Sequence, residues 1–254
     1  MSSTTALRRL LPTLVSLAFL LLLWSGLATL YPSVLVPSPP MVFEALARLA
    51  VEGRLWQELQ VTLLRLLVAF GLGATLGISL GLVAGQSQAL AHFLRPGMAL
   101  AAGVPPISWL ALALIWFGTG SQTPILVALL VAMPAIYIAT LEGIQALDRD
   151  LLAMARVFGL RGLDLVREIY LPALAPHILS GLTVGATLTV RVGVMGEFLA
   201  SSTGVGSAMA LARTQLNTAE VIAWVLVALA LLVGIEGLLL RPLARRASAW
   251  RKEA

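Results

Sequence analysis

The sequence predicts an all-helical membrane protein with six transmembrane helices, and three observations carry that prediction. The first is composition: 59% of the 254 residues are hydrophobic and 11% are charged, with a mean hydropathy of +0.95, whereas soluble domains are about a quarter charged. The second is length. Six apolar stretches, at 11–31, 61–85, 98–118, 121–142, 174–200 and 220–240, each reach the roughly 20 residues a helix needs to cross a hydrocarbon core. Helices are required there because backbone groups in lipid must find partners within their own segment. The third is the placement of positive charge. With both termini cytoplasmic, that side holds Arg8, Arg9, Arg95, Arg149, Arg156, Arg161, Arg167, Arg241, Arg245, Arg246, Arg251 and Lys252, and the far side only Arg48, Arg54 and Arg213. Such a bias orients short-looped membrane proteins. The net charge of +5 therefore reports orientation against anionic headgroups. Basic and aromatic residues do not interleave, so membrane lipids are expected as partners and nucleic acid is not.

Taken in order, residues 1–34 form an N-terminal segment and first helix. The Arg8-Arg9 pair ahead of an apolar run mimics a secretory leader, but no small-residue cleavage site precedes the Tyr31-Pro32 break, so a retained helix is expected. Residues 35–240 form the core with five further helices. Its opening segment has apolar residues at 42, 46 and 49, the pattern of a short interfacial helix. In the second span Gly73, Gly77, Gly81 and Gly85 recur every four residues, which lines one helix face with glycine and lets another helix approach closely. The third span contains "GVPPISW", where Pro105 and Pro106 remove two backbone donors and make the chain irregular. Irregular backbone at membrane depth lines protein or a cavity, which makes both prolines candidates for a substrate pathway. A basic cytoplasmic tail, 241–254, closes the chain.

The residue types for catalysis are missing. The lone lysine, Lys252, excludes a phosphate-binding loop ending in G-K-[ST] and a buried Schiff-base lysine. There are no cysteines, and neither His92 nor His177 has a second ligand at metal-site spacing. No enzyme activity, cofactor or metal is expected. Ser180 follows His177 by one helical step, but no orienting acid or oxyanion motif accompanies the pair, and serine is frequent at membrane helix contacts.

Between the fourth and fifth spans lies the one compact polar segment, 148–172. Asp150 is expected to cap a helix whose apolar face carries Leu151, Met154, Ala155 and Phe158, stopped by Gly159. A second short helix, "LDLVREIYLP", sets Leu163, Val166 and Tyr170 against Asp164, Arg167 and Glu168, with Pro172 breaking the ladder. An apolar knob ringed by charge suits a helix-in-groove contact with a soluble partner. A loop resting in the headgroups is the alternative.

"AMARVFG", nine further residues and "IYLP" resemble the cytoplasmic loop of type I ABC importer permeases. Gly159, Ile169, Leu171 and Pro172 fall on that pattern's fixed positions, Ala155 on its second alanine and Arg156 on the basic residue that often follows. Ala153 stands in place of the glutamate and Met154 in place of the first alanine. "LVPSP", "LWQELQVTLLRLLVAFGLGATLGISLGL", "VPPISWLALALIWFG" and "GEFLASSTGVGSAMALAR" occur in the order seen in the sulfonate, taurine and nitrate branch. The resemblance implies a homodimeric permease of a bacterial inner membrane, two ATP-binding subunits docked on the loop through Leu151, Ala155, Arg156, Phe158, Gly159, Ile169, Leu171 and Pro172, and a periplasmic or lipid-anchored solute-binding protein. It implies import of a small anion such as a sulfonate, taurine or nitrate, although the branch includes vitamin-precursor carriers.

Two charges in the fifth span, Arg191 and Glu197, are candidates for the pathway. A guanidinium near the bilayer centre costs on the order of 2.5–3.5 kcal/mol on insertion scales. Arg191 must therefore meet a partner, for which Glu236 on the sixth span is available, or offer its forked donors to an anion in the pathway. Glu197 or Glu236 acting as a proton relay would instead suit a secondary transporter, although the chain shows no evident inverted repeat.

Overall fold

The computed structural model describes residues 3–240; of these, the side chains of residues 3–11, 13, 149, 151, 152, 156, 163 and 238–240 lie outside the description, as does the expected basic tail. The chain is helical throughout: α1 Ser3–Leu30, α2 Pro39–Val51, α3 Arg54–Gln86, α4 Gln88–Gly103, α5 Pro106–Phe117, α6 Gln122–Gln145, α7 Arg149–Val157, α8 Leu163–Leu165, a π-helical turn Val166–Tyr170, α9 Leu171–Ala200, α10 Val205–Thr214, α11 Thr218–Gly234 and a closing π-helical turn Ile235–Leu240. Among the described residues four helical spans, over 54–86, 122–145, 166–200 and 218–237, are long and apolar enough to cross a membrane.

At the centre α6 lies between α3 and α9 and packs on both. The glycine ladder explains the first contact. A Cβ at Gly77, Gly81 or Gly85 would lie 2.9, 2.6 and 2.7 Å from the Cβ atoms of Ile136, Thr140 and Ile144, so the two backbones meet with no side chain between them. Residue numbers rise together along this contact, hence α3 and α6 run parallel. On its other side α6 meets a second glycine face: a Cβ at Gly181 would stand 2.7 Å from the Cβ of Ala139, and one at Gly185 2.7 Å from Cδ1 of Ile136. Here the numbers run in opposition, and α9 is antiparallel. Thr140 and Thr189, both buried, donate to the carbonyls of Ile136 and Gly185 four residues back, so neither hydroxyl is left bare in the contact.

Because α3 and α6 are parallel, the chain between them must return across the layer. The helices α4 and α5 do so as a broken pair bent by 96°, a fifth crossing interrupted at the prolines where the sequence predicts an irregular chain. Val104 and Pro105 hold extended conformations at the bend, and Pro106 opens α5, a position where its missing N–H removes no helical bond. Leu110 and Ala113 of α5 are buried with Val127, Ala128 and Val192, while Ile107, Ile115 and Trp116 are exposed.

The first expected span, 11–31, falls on α1, whose described apolar part is Leu14–Leu30. Its side chains are largely exposed, and it meets the bundle through Trp24, whose indole N–H donates to the Pro37 carbonyl at 3.0 Å. The expected interfacial helix α2 is better embedded than its pattern suggested: Val42 and Leu49 are fully buried in a cluster with Val205, Ala208 and Trp224. One face of α2 meets protein instead of lipid because α11 and α3 pack against it.

Candidate functional site

Four polar places stand out among the described residues. The first is a buried cluster that the sequence reading did not assemble. Glu58, Thr62 and Arg65 stand at i, i+4 and i+7 on α3 and so share one face. Arg65 Nη1 lies 2.8 Å from Glu197 Oε1 and 2.6 Å from the Thr203 carbonyl, Nη2 donates to Thr203 Oγ1 at 2.7 Å, and Nε to Ser121 Oγ at 3.0 Å. The Thr62 hydroxyl donates to Glu197 Oε2 at 2.8 Å. One guanidinium thereby joins α3, α9, the start of α6 and the loop after α9.

The same carboxylates organise the start of α10. A helix begins with N–H groups that have no intrahelical partner. Those of Gly204, Val205 and Gly206 donate in turn to the Glu58 carboxylate, to Thr62 Oγ1 at 2.8 Å and to Glu197 Oε2 at 3.1 Å, with negative charge where the helix dipole favours it. Gly204 has a positive φ of 102°. A Cβ on Gly206 would lie 2.7 Å from that of Glu197, so "STGVG" is the sequence that lets a backbone come this close to a carboxylate. Thr62, Arg65 and Glu197 are all buried, and the remaining gap beside them is too small for a water molecule. Glu197, expected on the pathway or as a proton relay, lies enclosed in this cluster with donors on both oxygens. A signal existed in the sequence: three polar residues at helical spacing inside an apolar span.

The second place is Arg191. Among the described residues no ion pair includes it, and Glu236, its expected partner, lies in the turn that closes α11. Arg191 is exposed on the side of α9 away from the glycine face. The buried deep arginine is Arg65, and the accessible one is Arg191.

The third place is the polar loop. The cap of its first helix lies two residues earlier than expected: the Asp148 side chain accepts the N–H of Asp150 at 2.8 Å, and Asp150 itself sits in the first turn. Gly159 ends it in the left-handed region, φ 86°, with the Leu160 N–H donating to the Ala155 carbonyl at 3.0 Å, the closure that leaves glycine as the favoured residue. Ala155 is buried, while Met154 and Phe158 are 52% and 79% exposed. The side chains of Leu151 and Arg156 lie outside the described residues. Pro172 does not break the second helix. The Leu171 N–H reaches back five residues to the Val166 carbonyl, and this wider turn absorbs the proline so that 166–200 runs as one span. Ile169 is half-buried; Leu171 and Pro172 are exposed.

At the opposite end of α3, Arg54 and Arg48 lie 3.3 and 3.6 Å from the buried carboxylate of Glu220, whose N–H is capped by Asn217 at 3.2 Å. Arg48 and Arg54, expected together on the far side, do share one end of the bundle.

Comparison with known proteins adds to this geometry. A family model described as "Binding-protein-dependent transport system inner membrane component" matches residues 73–246. The chain is 30% identical to the taurine transport system permease protein TauC of Escherichia coli (strain K12), over 94% of its own length and 89% of that protein. It is 30% identical to the putative aliphatic sulfonates transport permease protein SsuC of Bacillus subtilis (strain 168), over 92% and 85%. To the riboflavin transport system permease protein RibX of Chloroflexus aurantiacus it is 32% identical, over 80% and 77%. Among solved structures, an inward-facing form of the MetNI methionine ABC transporter shares the fold with a TM-score of 0.60 at 20% identity, covering 83% of this chain and 99% of that one.

Proposed function

Because the chain belongs to the family of inner-membrane components of binding-protein-dependent transport systems, within the sulfonate and taurine branch of type I ABC importer permeases, we propose that two copies of it form the translocation pathway of an ATP-driven importer of small organic anions. The observation that carries the coupling half of this reading is the short helix α7, which ends at a left-handed glycine and holds Met154 and Phe158 out into solvent on an otherwise charged loop. Exposed apolar side chains on a short amphipathic helix suit a groove on a soluble subunit, and a membrane component without a phosphate-binding loop needs one for energy. Ala155 anchors the helix from below, Ile169, Leu171 and Pro172 shape the return into α9, and Leu151 and Arg156 complete the docking surface. Both termini then lie in the cytoplasm, and a solute-binding protein delivers substrate to the face that carries Arg48 and Arg54.

Gly159→Val tests this. A β-branched residue in the left-handed region costs roughly 1–2 kcal/mol, enough to reorient the end of α7 while the spans stay packed. We expect normal membrane insertion and assembly of the reconstituted complex, with coupled ATPase activity and uptake both reduced. Undiminished coupled ATPase in a well-expressed Gly159→Val complex would sink the docking role.

The substrate half rests on Arg191 and on the bend at Pro105 and Pro106, where irregular backbone and an uncompensated cation stand in spanning segments. Relatives named for taurine and aliphatic sulfonates support an anion with a tetrahedral head, which a guanidinium binds through forked donors. Arg191→Gln is expected to lower sulfonate uptake about 10- to 100-fold, corresponding to the roughly 1.5–3 kcal/mol of a hydrogen bond to a charged group, with thermal stability unchanged. Competition by riboflavin and not by taurine in the uptake assay would reverse the substrate assignment.

A further inference from the structure

The span α9 has two unlike faces. One carries Gly181, Gly185, Gly193 and Gly196, all buried against α3, α5 and α6. The other carries Ser180, Thr183, Thr187 and Arg191, spaced three, four and four residues apart, which sets them in a single strip about 16 Å long. Ser180 and Arg191 are exposed, and Thr183 and Thr187 are half-buried. The accessible side of α3 is different: Leu64, Leu67, Leu72 and Leu76, the residue type that lipid tolerates.

The strip's chemistry is one-sided. The Thr183 hydroxyl donates to the Leu179 carbonyl at 2.8 Å and that of Thr187 to the Thr183 carbonyl at 3.0 Å, so both protons are committed to the helix itself. The open donors of the strip are the Ser180 hydroxyl and the guanidinium of Arg191, and only the second carries charge. The one carboxylate on α9, Glu197, is engaged by Arg65 on the opposite side of the bundle core, and Glu220 is engaged by Arg48 and Arg54. The strip thus carries positive charge that these carboxylates do not neutralise.

Resting on the permease reading above, we infer that this strip is a water-filled anion track: a small organic anion meets Arg191 through its sulfonate or carboxylate oxygens and passes along Thr187, Thr183 and Ser180. Selectivity for negative charge comes from the field of Arg191, and the threonines supply a polar wall that holds no competing donor.

The chain has no cysteine, so a single introduced thiol reports its own surroundings. In the assembled complex Thr187→Cys is to be treated with two small thiosulfonate reagents, one ending in a sulfonate and one in a trimethylammonium, each rate normalised to that of a free thiol. We expect both to react and the anionic one to be favoured about tenfold or more, as a charged cleft concentrates its counter-ion. Adding Arg191→Gln should bring the normalised ratio close to one, and adding Arg191→Lys should keep most of it. Thr189→Cys, buried beside Leu63 and Leu66 of α3, should stay unlabelled. A Thr187→Cys thiol that reacts with neither reagent means the strip is packed against protein or lipid, which overturns the track. An anion preference that survives Arg191→Gln overturns the role of Arg191. The permease reading has its own readout, ATP-dependent uptake by the wild-type complex, so either reading can fail while the other stands.

Discussion

Arg65→Met should lower the stability of the complex by about 3–5 kcal/mol, the loss expected when one partner of a buried ion pair is removed and the other is left enclosed. Four hydrogen bonds to three segments disappear together, from Glu197, Ser121 and both polar atoms of Thr203. The Glu197 carboxylate keeps the Thr62 hydroxyl and the Gly206 N–H but loses its counter-charge. The double variant Arg65→Met, Glu197→Gln should be more stable than Arg65→Met alone, because an amide oxygen still caps α10 without a buried charge. The thermal midpoint of the purified complex would measure both. Losses that simply add, with no coupling beyond about 0.5 kcal/mol, would show that the cluster is not one unit. Arg65→Lys should be intermediate, since an ammonium has no planar fork to reach Ser121, Glu197 and Thr203 together.

Gly77→Leu should be as damaging, through packing instead of charge. A Cβ there already stands 2.9 Å from both the Ile136 Cβ and the Met133 carbonyl oxygen, and the rest of a leucine has no space beyond them. α6 cannot retreat, since the other end of Ile136 sits where a Cβ of Gly185 would be. Overpacking of a close-packed core costs roughly 1–3 kcal/mol when the neighbours can shift, and here the neighbour is held from two sides. Little assembled protein should be recovered from membranes, and Ile136→Ala in the same chain should restore part of it. A fully stable Gly77→Leu protein would mean that the ladder faces lipid and not α6.

The features that were legible in the sequence are those set within one turn or one span. The apolar lengths that located the spans, the four-residue recurrence of Gly73 through Gly85, the stop at Gly159 and the irregularity at Pro105 and Pro106 each depend on the conformational or solvation preferences of neighbouring residues. Small errors arose where two local solutions compete. Asp148 and Asp150 are both good caps, and Pro172 ends a helix unless a wider turn accommodates it, which Val166–Tyr170 does.

The charged residues of the spans followed another rule. The sequence placed Arg191 and Glu197 within a span, where lipid would penalise them, and hence each needs a partner or water. Which of these each one has was decided by the tertiary structure. Arg65 and Glu197 are 132 residues apart, and they meet because α3 and α9 both pack on α6 through glycine faces and also on each other. Arg191, six residues from Glu197, is turned by about 240° from it on the same helix and so faces away from that core. The sequence by itself determined that this is a multi-span helical membrane protein with one compact polar loop. The pairing of helix faces, which depends on contacts between residues far apart in the chain, determined which of its charges is sealed into the fold and which is left exposed.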